Sequence, residues 1–471
     1  MRSVSGTDAA PTGGPSAATD RVRIELGAVM TTSDLDYRIN DADNHFNEPP
    51  DCFERYIDPS EADLAIRVVT APDGSKVQLF AGTPSKFHAE QITFSEAELR
   101  EMLGEAEPAG FDAGAGSRPL LDHGDLSVVP GMLLNRLNSL KGLSDEEKAA
   151  VIADFRHKSE AFSNRDLRLA LMDEQGIDKA VMFAAAAHDI EYEFADNVPA
   201  LYANTRAFNR WMHEEVGFNS ENRMFLPPYI PFADPELTER ELLAVIDDGA
   251  RIIQTKSGHA HGGAENPYGG RSLADPVFDR VWSICNEAEI RLSVHLGGTD
   301  YQKYGADWSE DPDTVLGEMD AFQWMMYWGD RPAMELTAAL ILHNFFGRFP
   351  NMKVLLSEMG TIWLPYCLRK ADHSFMLGRK AKWAEGGRLD RRPSEIFREH
   401  FVVAPFPEEN VRRVVNEVGI EPIVFGSDFP HGEGLAYPSQ YVGAQLSSFT
   451  DEEQRRIMRD TMESFLAPCL N

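Results

Sequence analysis

The sequence predicts an α/β fold of the (β/α)8 type, a TIM barrel in which eight parallel strands alternate with helices. The first observation is a regular alternation of short apolar runs and helical patterns over residues 166–428, which is typical of a parallel sheet. The second is the number of runs, which reaches eight when residues 37–45 are included, as closure into this barrel requires. A doubly wound open sheet is the alternative, but no glycine-rich turn follows the first strand, which disfavours that fold.

The predicted strands are short and apolar, and most of them are separated by a helical pattern. They cover residues 37–45, 180–183, 225–230, 251–254, 291–295, 353–358, 401–404 and 423–428. The helices are predicted from apolar positions that recur every three to four residues. They cover residues 166–176, 201–216, 236–248, 276–288, 333–348 and 409–418.

The segment after the first strand departs from this regular order. Two prolines at 49–50 take the chain out of the strand, and a short helix is predicted at 51–56. Residues 65–82 alternate apolar and polar positions around a Pro-Asp-Gly-Ser sequence, which predicts a β-hairpin. We interpret residues 60–160 as an insertion that covers the mouth of the active site or forms an oligomer contact.

The N-terminal segment and the composition restrict the class of protein. Residues 1–33 are rich in small residues and proline without an apolar stretch, which predicts a disordered tail before one domain at 34–471. The 45 basic and 76 acidic residues give a net charge of −31, which disfavours nucleic acid and anionic membranes as partners. No run approaches the roughly 20 apolar residues that span a bilayer. The cysteines show no Cys-x-x-Cys spacing and are predicted to be reduced in a cytoplasmic protein: Cys52, Cys285, Cys367 and Cys469.

The first strand ends in a group of polar residues that can bind a metal. Residues two apart in a strand point the same way, so Asp41, Asp43 and His45 are predicted to share one face. Carboxylate oxygen and imidazole nitrogen are both ligands for zinc and similar divalent ions. The alternative is an Asp-rich turn that only caps the strand.

Three further strands end in groups of the same kind. They are strand five with His295, strand six with Glu358 and strand eight with Asp428. The active site of a barrel lies at the carboxyl ends of its strands, so these residues should meet those of strand one. A single histidine at a strand end is more often a structural residue with a hydrogen bond, but four strand ends together predict a metal site.

With these motifs the chain resembles the amidohydrolase superfamily. The motifs are Asp-x-Asp-x-His at 41–45, Leu-Ser-Val-His at 292–295, Leu-Leu-Ser-Glu at 355–358, Trp-Leu-Pro at 363–365 and Gly-Ser-Asp-Phe-Pro-His at 426–431. Within the superfamily the chain is similar to the branch that contains aminocarboxymuconate semialdehyde decarboxylase and the resorcylate-type decarboxylases. The similarity covers about residues 36–466 and implies a metal-dependent TIM-barrel enzyme, with relatives that are commonly dimers or larger.

The resemblance also implies roles for the strand-end residues. That branch opens with His-x-His or Glu-x-His, and Asp43 and His45 occupy that place here. His295 matches the ligand on strand five, and Asp428 matches the strand-eight aspartate that is both ligand and proton acceptor. The implied cofactor is one divalent ion held by these four residues, with zinc expected and manganese as the alternative. Glu358 is a departure, because the decarboxylases carry an acid/base histidine there and a carboxylate is a poor proton donor at neutral pH.

Further residues are candidates for contact with the substrate or for support of the site. Lys256 follows strand four and would bind a substrate carboxylate, or it is a solvated surface lysine. His259 lies with His261 in a loop over the same rim, either as a substrate contact or as an exposed loop residue. His431, together with Glu433, would orient Asp428 or contact the substrate, and three aromatic residues would line the pocket or pack beneath it: Tyr301, Trp308 and Trp363.

These observations predict a metal-dependent hydrolase that acts on a small, carboxylated or aromatic substrate. A water activated by the ion would attack a carbonyl carbon, with Asp428 as proton acceptor and Glu358 as ligand or base. The alternative is a metal-dependent decarboxylase in which Asp428 protonates the ring carbon. A barrel that only binds a ligand is the third hypothesis. A small-molecule substrate and a homodimer complete the predictions.

Overall fold

The computed structural model describes most of the chain from residue 35 onward. The described residues are 35–70, 76–84, 159–184, 190–191, 193–260, 266–297, 322, 331–378, 382–431, 434–435 and 437–470. The predicted N-terminal tail, most of the predicted insertion and the candidates His261, Tyr301, Trp308 and Glu433 lie outside these residues.

The strands form two parallel arcs and one small antiparallel sheet. In chain order they are β1 (Ile39–His45), β2 (Ile66–Thr70), β3 (Lys76–Phe80), β4 (Thr83–Pro84), β5 (Ile177–Phe183), β6 (Asn219–Ser220), β7 (Met224–Phe225), β8 (Ile252–Thr255), β9 (Arg291–His295), β10 (Val354–Ser357) and β11 (Phe401–Val403). One arc has the order β1-β5-β7-β6 and the other β11-β10-β9-β8, while β2, β3 and β4 form the small sheet. Seven of the predicted barrel strands therefore overlap an observed strand, the third of them by Phe225 alone.

Isolated parallel bridges join the two arcs at both ends. Tyr229, beyond β7, bridges Gln254 of β8. The eighth predicted strand, 423–428, lies between β11 and β1, because Val424 donates its N–H to Val403 (3.1 Å) and Ala42 donates to Phe425 (2.9 Å). It is extended without a continuous ladder. The fold is the predicted (β/α)8 barrel of alternating strands and helices.

Several helices begin at a residue whose side chain caps the helix. The helices are α1 (Cys52–Tyr56), α2 (Arg165–Gln175), α3 (Val198–Trp211), α4 (Pro235–Asp247), α5 (Asp279–Glu287), α6 (Arg331–Leu342), α7 (Phe345–Arg348), α8 (Leu364–Leu377), α9 (Pro393–His400), α10 (Val411–Val418), α11 (Gln440–Gln445), α12 (Asp451–Arg455) and α13 (Thr461–Leu466). Asn164 and Asp234 accept backbone N–H bonds at the starts of α2 and α4, which satisfies donors that the helix itself leaves unpaired. All six helical regions predicted between barrel strands overlap an observed helix.

The C-terminal helix closes one end of the barrel and so determines where the site can be. Side chains inside the barrel pack on Met462, Phe465, Leu466 and Cys469. Arg291, at the start of β9, donates from Nε to the carbonyl of Phe465 (2.9 Å). The amino ends of the strands are thus covered, and the opposite rim carries the polar strand ends.

The predicted hairpin is present, because β2 and β3 pair antiparallel. All four cysteines are buried and free of disulfide bonds, as predicted. Among the described residues, no helix is both long and apolar enough to cross a membrane.

Candidate metal centre

The end of β1 is irregular, and this irregularity separates Asp41 from the other polar residues of the strand. The pairing of β1 with β5 shifts register between Asp41 and Asn44. Asp41 is fully buried and accepts four hydrogen bonds. Its donors are the N–H groups of Asp43 (3.1 Å) and Ser427 (2.9 Å), the Asn44 amide (2.9 Å) and the Ser427 hydroxyl (2.5 Å). Asp41 therefore joins strand one to strand eight and is not among the grouped metal donors.

The first group of possible ligands contains Asp43, His45, His295 and Glu358, with one ligand atom from each within 4.8 Å of the others. Nε2 of His295 lies 3.0 Å from Oε2 of Glu358 and 3.4 Å from Oδ1 of Asp43. Nε2 of His45 lies 3.5 Å from the same oxygen of Glu358. Three strand ends thus place two nitrogens and two oxygens around one point.

The second group shares His45 and Glu358 with the first and adds Asp428 and His431. Oδ1 of Asp428 lies 3.0 Å from Nε2 of His45 and 2.8 Å from Nδ1 of His431. The His431 ring stacks on the His45 ring, with centroids 3.8 Å apart. The predicted residues Asp43, His45, His295 and Asp428 are therefore brought together, but Asp428 belongs to a different group from Asp43 and His295.

Burial and neighbouring charges shift the pKa values of these residues in opposite directions. Burial and the charge of Glu358 raise the pKa of Asp428 to about 6. Burial and the charge of His431 lower the pKa of His45 to about 4. Burial opposes ionisation of Glu358, but the charge of His295 outweighs it and holds the pKa of Glu358 well below its usual range. His45 is therefore neutral near pH 7, as a metal ligand must be.

The donor atoms fit a divalent metal ion. Among the described residues, four buried atoms of the two groups approach one another or a histidine nitrogen without forming a hydrogen bond of normal geometry: Asp43 Oδ1, His45 Nε2, Glu358 Oε2 and Asp428 Oδ1. Buried polar atoms without partners are costly, and the interatomic distances of 3.0–3.5 Å match the roughly 3.4 Å between ligands around a tetrahedral zinc. In addition, Nδ1 of His295 lies 2.6 Å from the Leu296 carbonyl, a contact that leaves Nε2 for the ion.

Arg168 holds the backbone at the end of β1 through hydrogen bonds. No motif in the sequence indicated this role. Its guanidinium is fully buried and donates to the carbonyls of His45 (2.7 Å) and Ala161 (2.9 Å). It also lies between the rings of Phe162 and Phe429, 5.6 and 5.1 Å from their centroids. Arg168 thus fixes the backbone that carries His45, although the two residues are 123 positions apart.

Glu409, which the sequence did not indicate either, holds the loop that carries Glu358. Its carboxylate accepts the N–H of Thr361 with both oxygens at 2.9 Å and also binds the Thr361 hydroxyl. Gly360 directly precedes Thr361 in this loop and has a φ of +57°. A Cβ atom at position 360 would lie 2.5 Å from a Glu409 oxygen. Glycine is therefore required at this position of the loop.

The other candidates are distributed around the rim. Lys256 follows β8 and is buried, so the alternative of a solvated surface lysine is wrong. His259 is half-buried, with Nδ1 2.9 Å from the Ala260 carbonyl, and belongs to neither metal group. Trp363 is buried, and its indole N–H points to the carbonyls of Met359 and Gly360 (3.0 Å each). Trp363 thus packs beneath the Glu358 loop.

A family model and several solved structures are similar to this chain. A family model described as Amidohydrolase matches residues 153–466. An amidohydrolase structure from Mycobacterium avium subsp. paratuberculosis K-10 has a TM-score of 0.72 and 25% identity, covering 92% of this chain and 100% of that chain. No curated protein sequence matches the chain.

Two decarboxylase structures are also similar at lower identity. The 5-carboxyvanillate decarboxylase of Novosphingobium aromaticivorans DSM 12444, solved with manganese, has a TM-score of 0.51 and 17% identity over 72% of this chain and 90% of that chain. The 2,6-dihydroxybenzoate decarboxylase of Rhizobium has a TM-score of 0.48 and 19% identity over 66% of this chain and 91% of that chain. The similarity to the 5-carboxyvanillate decarboxylase supports the assignment of the barrel fold.

Proposed function

Because the chain belongs to the amidohydrolase family, we propose that it is a metal-dependent decarboxylase of a small hydroxylated aromatic or unsaturated acid. The observation that carries this proposal is the contact between Oδ1 of Asp428 and Nδ1 of His431 at 2.8 Å. A decarboxylase must deliver a proton to carbon, and Glu358 is a poor donor because its pKa lies well below the usual range. His431 supplies the imidazole that strand six does not.

The two residues differ in exposure in a way that suits proton delivery. The Asp428 side chain is 8% exposed and that of His431 is 26% exposed. Asp428, with a pKa raised to about 6, can hold a proton near neutral pH, since a pKa near the working pH favours general acid catalysis. His431 connects Asp428 to the open side of the site, from which the proton can be replaced.

The proposed reaction uses these residues in the following order. A divalent ion bound by the grouped donors would supply positive charge for the substrate carboxylate and a neighbouring hydroxyl. Asp428 gives its proton to the ring carbon that bears the carboxylate. The C–C bond then breaks, its electron pair restores the ring, and carbon dioxide leaves. His431 passes a proton back to Asp428, so the site returns to its starting state.

Lys256 is proposed to bind a negatively charged group of the substrate. It is buried after β8, and β8 pairs with β9, which ends in His295.

The mixed oxygen and nitrogen donors of the centre suit zinc or manganese. We also propose that the protein is a homodimer located in the cytoplasm, and light scattering of the purified chain tests the dimer.

Metal-dependent hydrolysis is the second candidate, and the low pKa of Glu358 favours it. A carboxylate that stays ionised can bind the ion or orient the attacking water, as hydrolysis requires. In this reaction Asp428 would accept the proton of water and pass it to the leaving group.

Product analysis separates the two reactions. The metal-loaded protein is incubated with hydroxylated benzoic acids, lactones and amides in deuterium oxide and in 18O-labelled water. Decarboxylation releases carbon dioxide and places one deuterium on the product carbon, whereas hydrolysis places 18O in the product. Exhaustive chelation should abolish turnover and added metal should restore it. Persistent activity without metal would refute both candidates.

A further inference from the structure

Gln254 differs from the other buried amides in the described part of the chain. Its Nε2 is the only buried side-chain amide nitrogen there without a hydrogen-bond partner, and the residue is 1% exposed. Asn209, in contrast, donates to the Tyr229 carbonyl (2.9 Å) and to Glu241 (3.1 Å), and its oxygen accepts the Tyr229 N–H (2.9 Å). A buried donor without a partner is costly, so folding alone does not account for the amide of Gln254.

The side chain of Gln254 faces the inside of the barrel, just below the metal centre. Ile252 packs inside the barrel with residues of the C-terminal helix. Because the side chains of a strand alternate, Gln254 and Lys256 face inward as Ile252 does. Gln254 pairs with Ser293 in the ladder between β8 and β9, so it lies one inward-facing position below His295. The amide is thus placed at the floor of the site that Lys256 borders.

Other inward-facing side chains near the strand ends are apolar or already bonded. Phe183 belongs to the apolar interior of the barrel. The hydroxyls of Ser293 and Ser357 both donate to backbone carbonyls, at 2.9 and 2.8 Å. We therefore expect the acceptor for Gln254 to belong to a molecule bound at the mouth of the barrel.

The chemistry of the amide indicates which acceptor fits. Three buried carboxylates already lie at the neighbouring metal centre: Asp43, Glu358 and Asp428. An amide carries no charge and cannot balance the charge of a further anion in a buried site. Its partner should therefore be an uncharged oxygen, as in a hydroxyl, ether or carbonyl group. Lys256 remains for the negatively charged group.

We propose that Gln254 is a specificity-determining residue whose Nε2 donates a hydrogen bond to an uncharged oxygen substituent of the substrate. This inference deepens the proposed function and rests on it, because it assumes a small oxygenated acid at the same mouth. A compound that lacks the oxygen leaves the buried donor without a partner when it binds. The site therefore discriminates against that compound.

Paired benzoates test this contact by binding alone. The full-length protein, loaded with manganese, is titrated by calorimetry with meta- and para-methoxybenzoate and with the ethylbenzoates of the same shape. At these positions the oxygen cannot chelate the ion together with the carboxylate. Wild type should bind at least one methoxy compound about 10-fold or more tightly than its ethyl counterpart. Gln254→Met keeps the length of the side chain without the donor and should bind the two within about 2-fold of each other.

The stability of the metal-free protein gives a second readout. A donor that is bonded only by the substrate does not stabilise the free protein. Gln254→Met should therefore unfold at the same urea concentration as wild type or at a higher one. Asn209→Leu is the matched control, because it removes a buried amide whose bonds are all made within the chain. It should unfold at a lower urea concentration.

The outcomes separate this contact from the proposed function. A preference for the methoxy compound that survives in Gln254→Met, or no preference in wild type, overturns the role of Gln254 and leaves the metal-dependent function intact. Gln254→Met that unfolds as early as Asn209→Leu, or does not fold, also overturns it, because the amide would then be structural. If no benzoate binds to the metal-loaded protein, both this contact and the proposed aromatic substrate are overturned.

Discussion

Glu358 and Asp428, on strands six and eight, share an unusual backbone conformation, with φ of +52° and +54°. Such a conformation costs a non-glycine residue about 1–3 kcal/mol and persists only where the surroundings enforce it. At Asp428 the N–H donates to the Asp43 carbonyl (2.8 Å). Gly434 packs on the Asp428 carbonyl, where a Cβ would lie 2.1 Å from the oxygen. The strain is therefore localised on two of the buried carboxylates that approach the donor nitrogens.

This strain predicts different stabilities for two inactive variants of Asp428. Asp428→Gly and Asp428→Ala both remove the carboxylate, but only glycine adopts a left-handed backbone without cost. We expect the metal-free glycine variant to be more stable than the alanine variant by about 1 kcal/mol. Urea unfolding of the metal-free proteins measures the difference. Equal stabilities would show that Asp428 is not strained.

The sequence predicted the strand-end residues because each follows its own apolar run. One rule, that active sites lie at the carboxyl ends of barrel strands, was enough to predict Asp43, His45, His295 and Asp428. The division into two groups could not be predicted in this way, because it depends on side-chain directions set by the positive φ values and by a register shift after Asp41.

Residues that hold the site in place were missed for a different reason. Arg168 and Glu409 belong to no short motif, and their partners are distant in sequence. Ser427 lies inside a recognised motif, but its bond to Asp41 spans 386 residues. Local patterns therefore identify donors of the metal centre more readily than the residues that orient them.

Replacing Arg168 should destabilise the protein strongly. Arg168→Ala leaves the buried carbonyls of His45 and Ala161 without their donor, so we expect a loss of about 3 kcal/mol or more. Arg165→Ala is the matched control, because Arg165 is exposed in the same helix and should change stability by less than about 0.5 kcal/mol. Chemical denaturation measures both. A similar loss in the two variants would contradict the role of Arg168.

Asp41 should make the stability of the metal-free protein depend on pH. Burial raises the pKa of Asp41 to about 7, although hydrogen bonds from Ser427 and Asn44 oppose the shift. The folded protein then binds the proton more tightly than the unfolded chain, so stability is highest at low pH and falls as the pH rises from about 4 to 7. Asp41→Asn cannot titrate and should show a shallower fall. Unfolding of both proteins across this range is the measurement, and identical slopes would exclude Asp41 as the cause.

Lys256 should affect binding of anionic substrates more than turnover. If its ammonium group binds a substrate carboxylate, Lys256→Met should raise KM about 10-fold or more, since a charged hydrogen bond contributes about 1.5–3 kcal/mol. Lys256→Arg keeps the charge and should recover part of the affinity. Steady-state kinetics on the acid and on its neutral ester or amide analogue distinguish the cases. An equal change in KM for both compounds would remove Lys256 from substrate recognition.

The direction of the pH dependence distinguishes the two proposed reactions at Asp428. As a proton donor in decarboxylation, Asp428 acts in its protonated form, so kcat should fall as the pH rises through about 6, the pKa to which burial and Glu358 raise this carboxyl. As a proton acceptor in hydrolysis it acts ionised, so kcat should fall as the pH decreases through the same region. A bound cation lowers the pKa and moves either profile to lower pH without changing its direction. Asp428→Asn should abolish the titration together with most of the activity, by about 10²–10⁴-fold. An unchanged profile in that variant would mean that another group controls the proton, and His431→Gln is then the variant in which the profile should change.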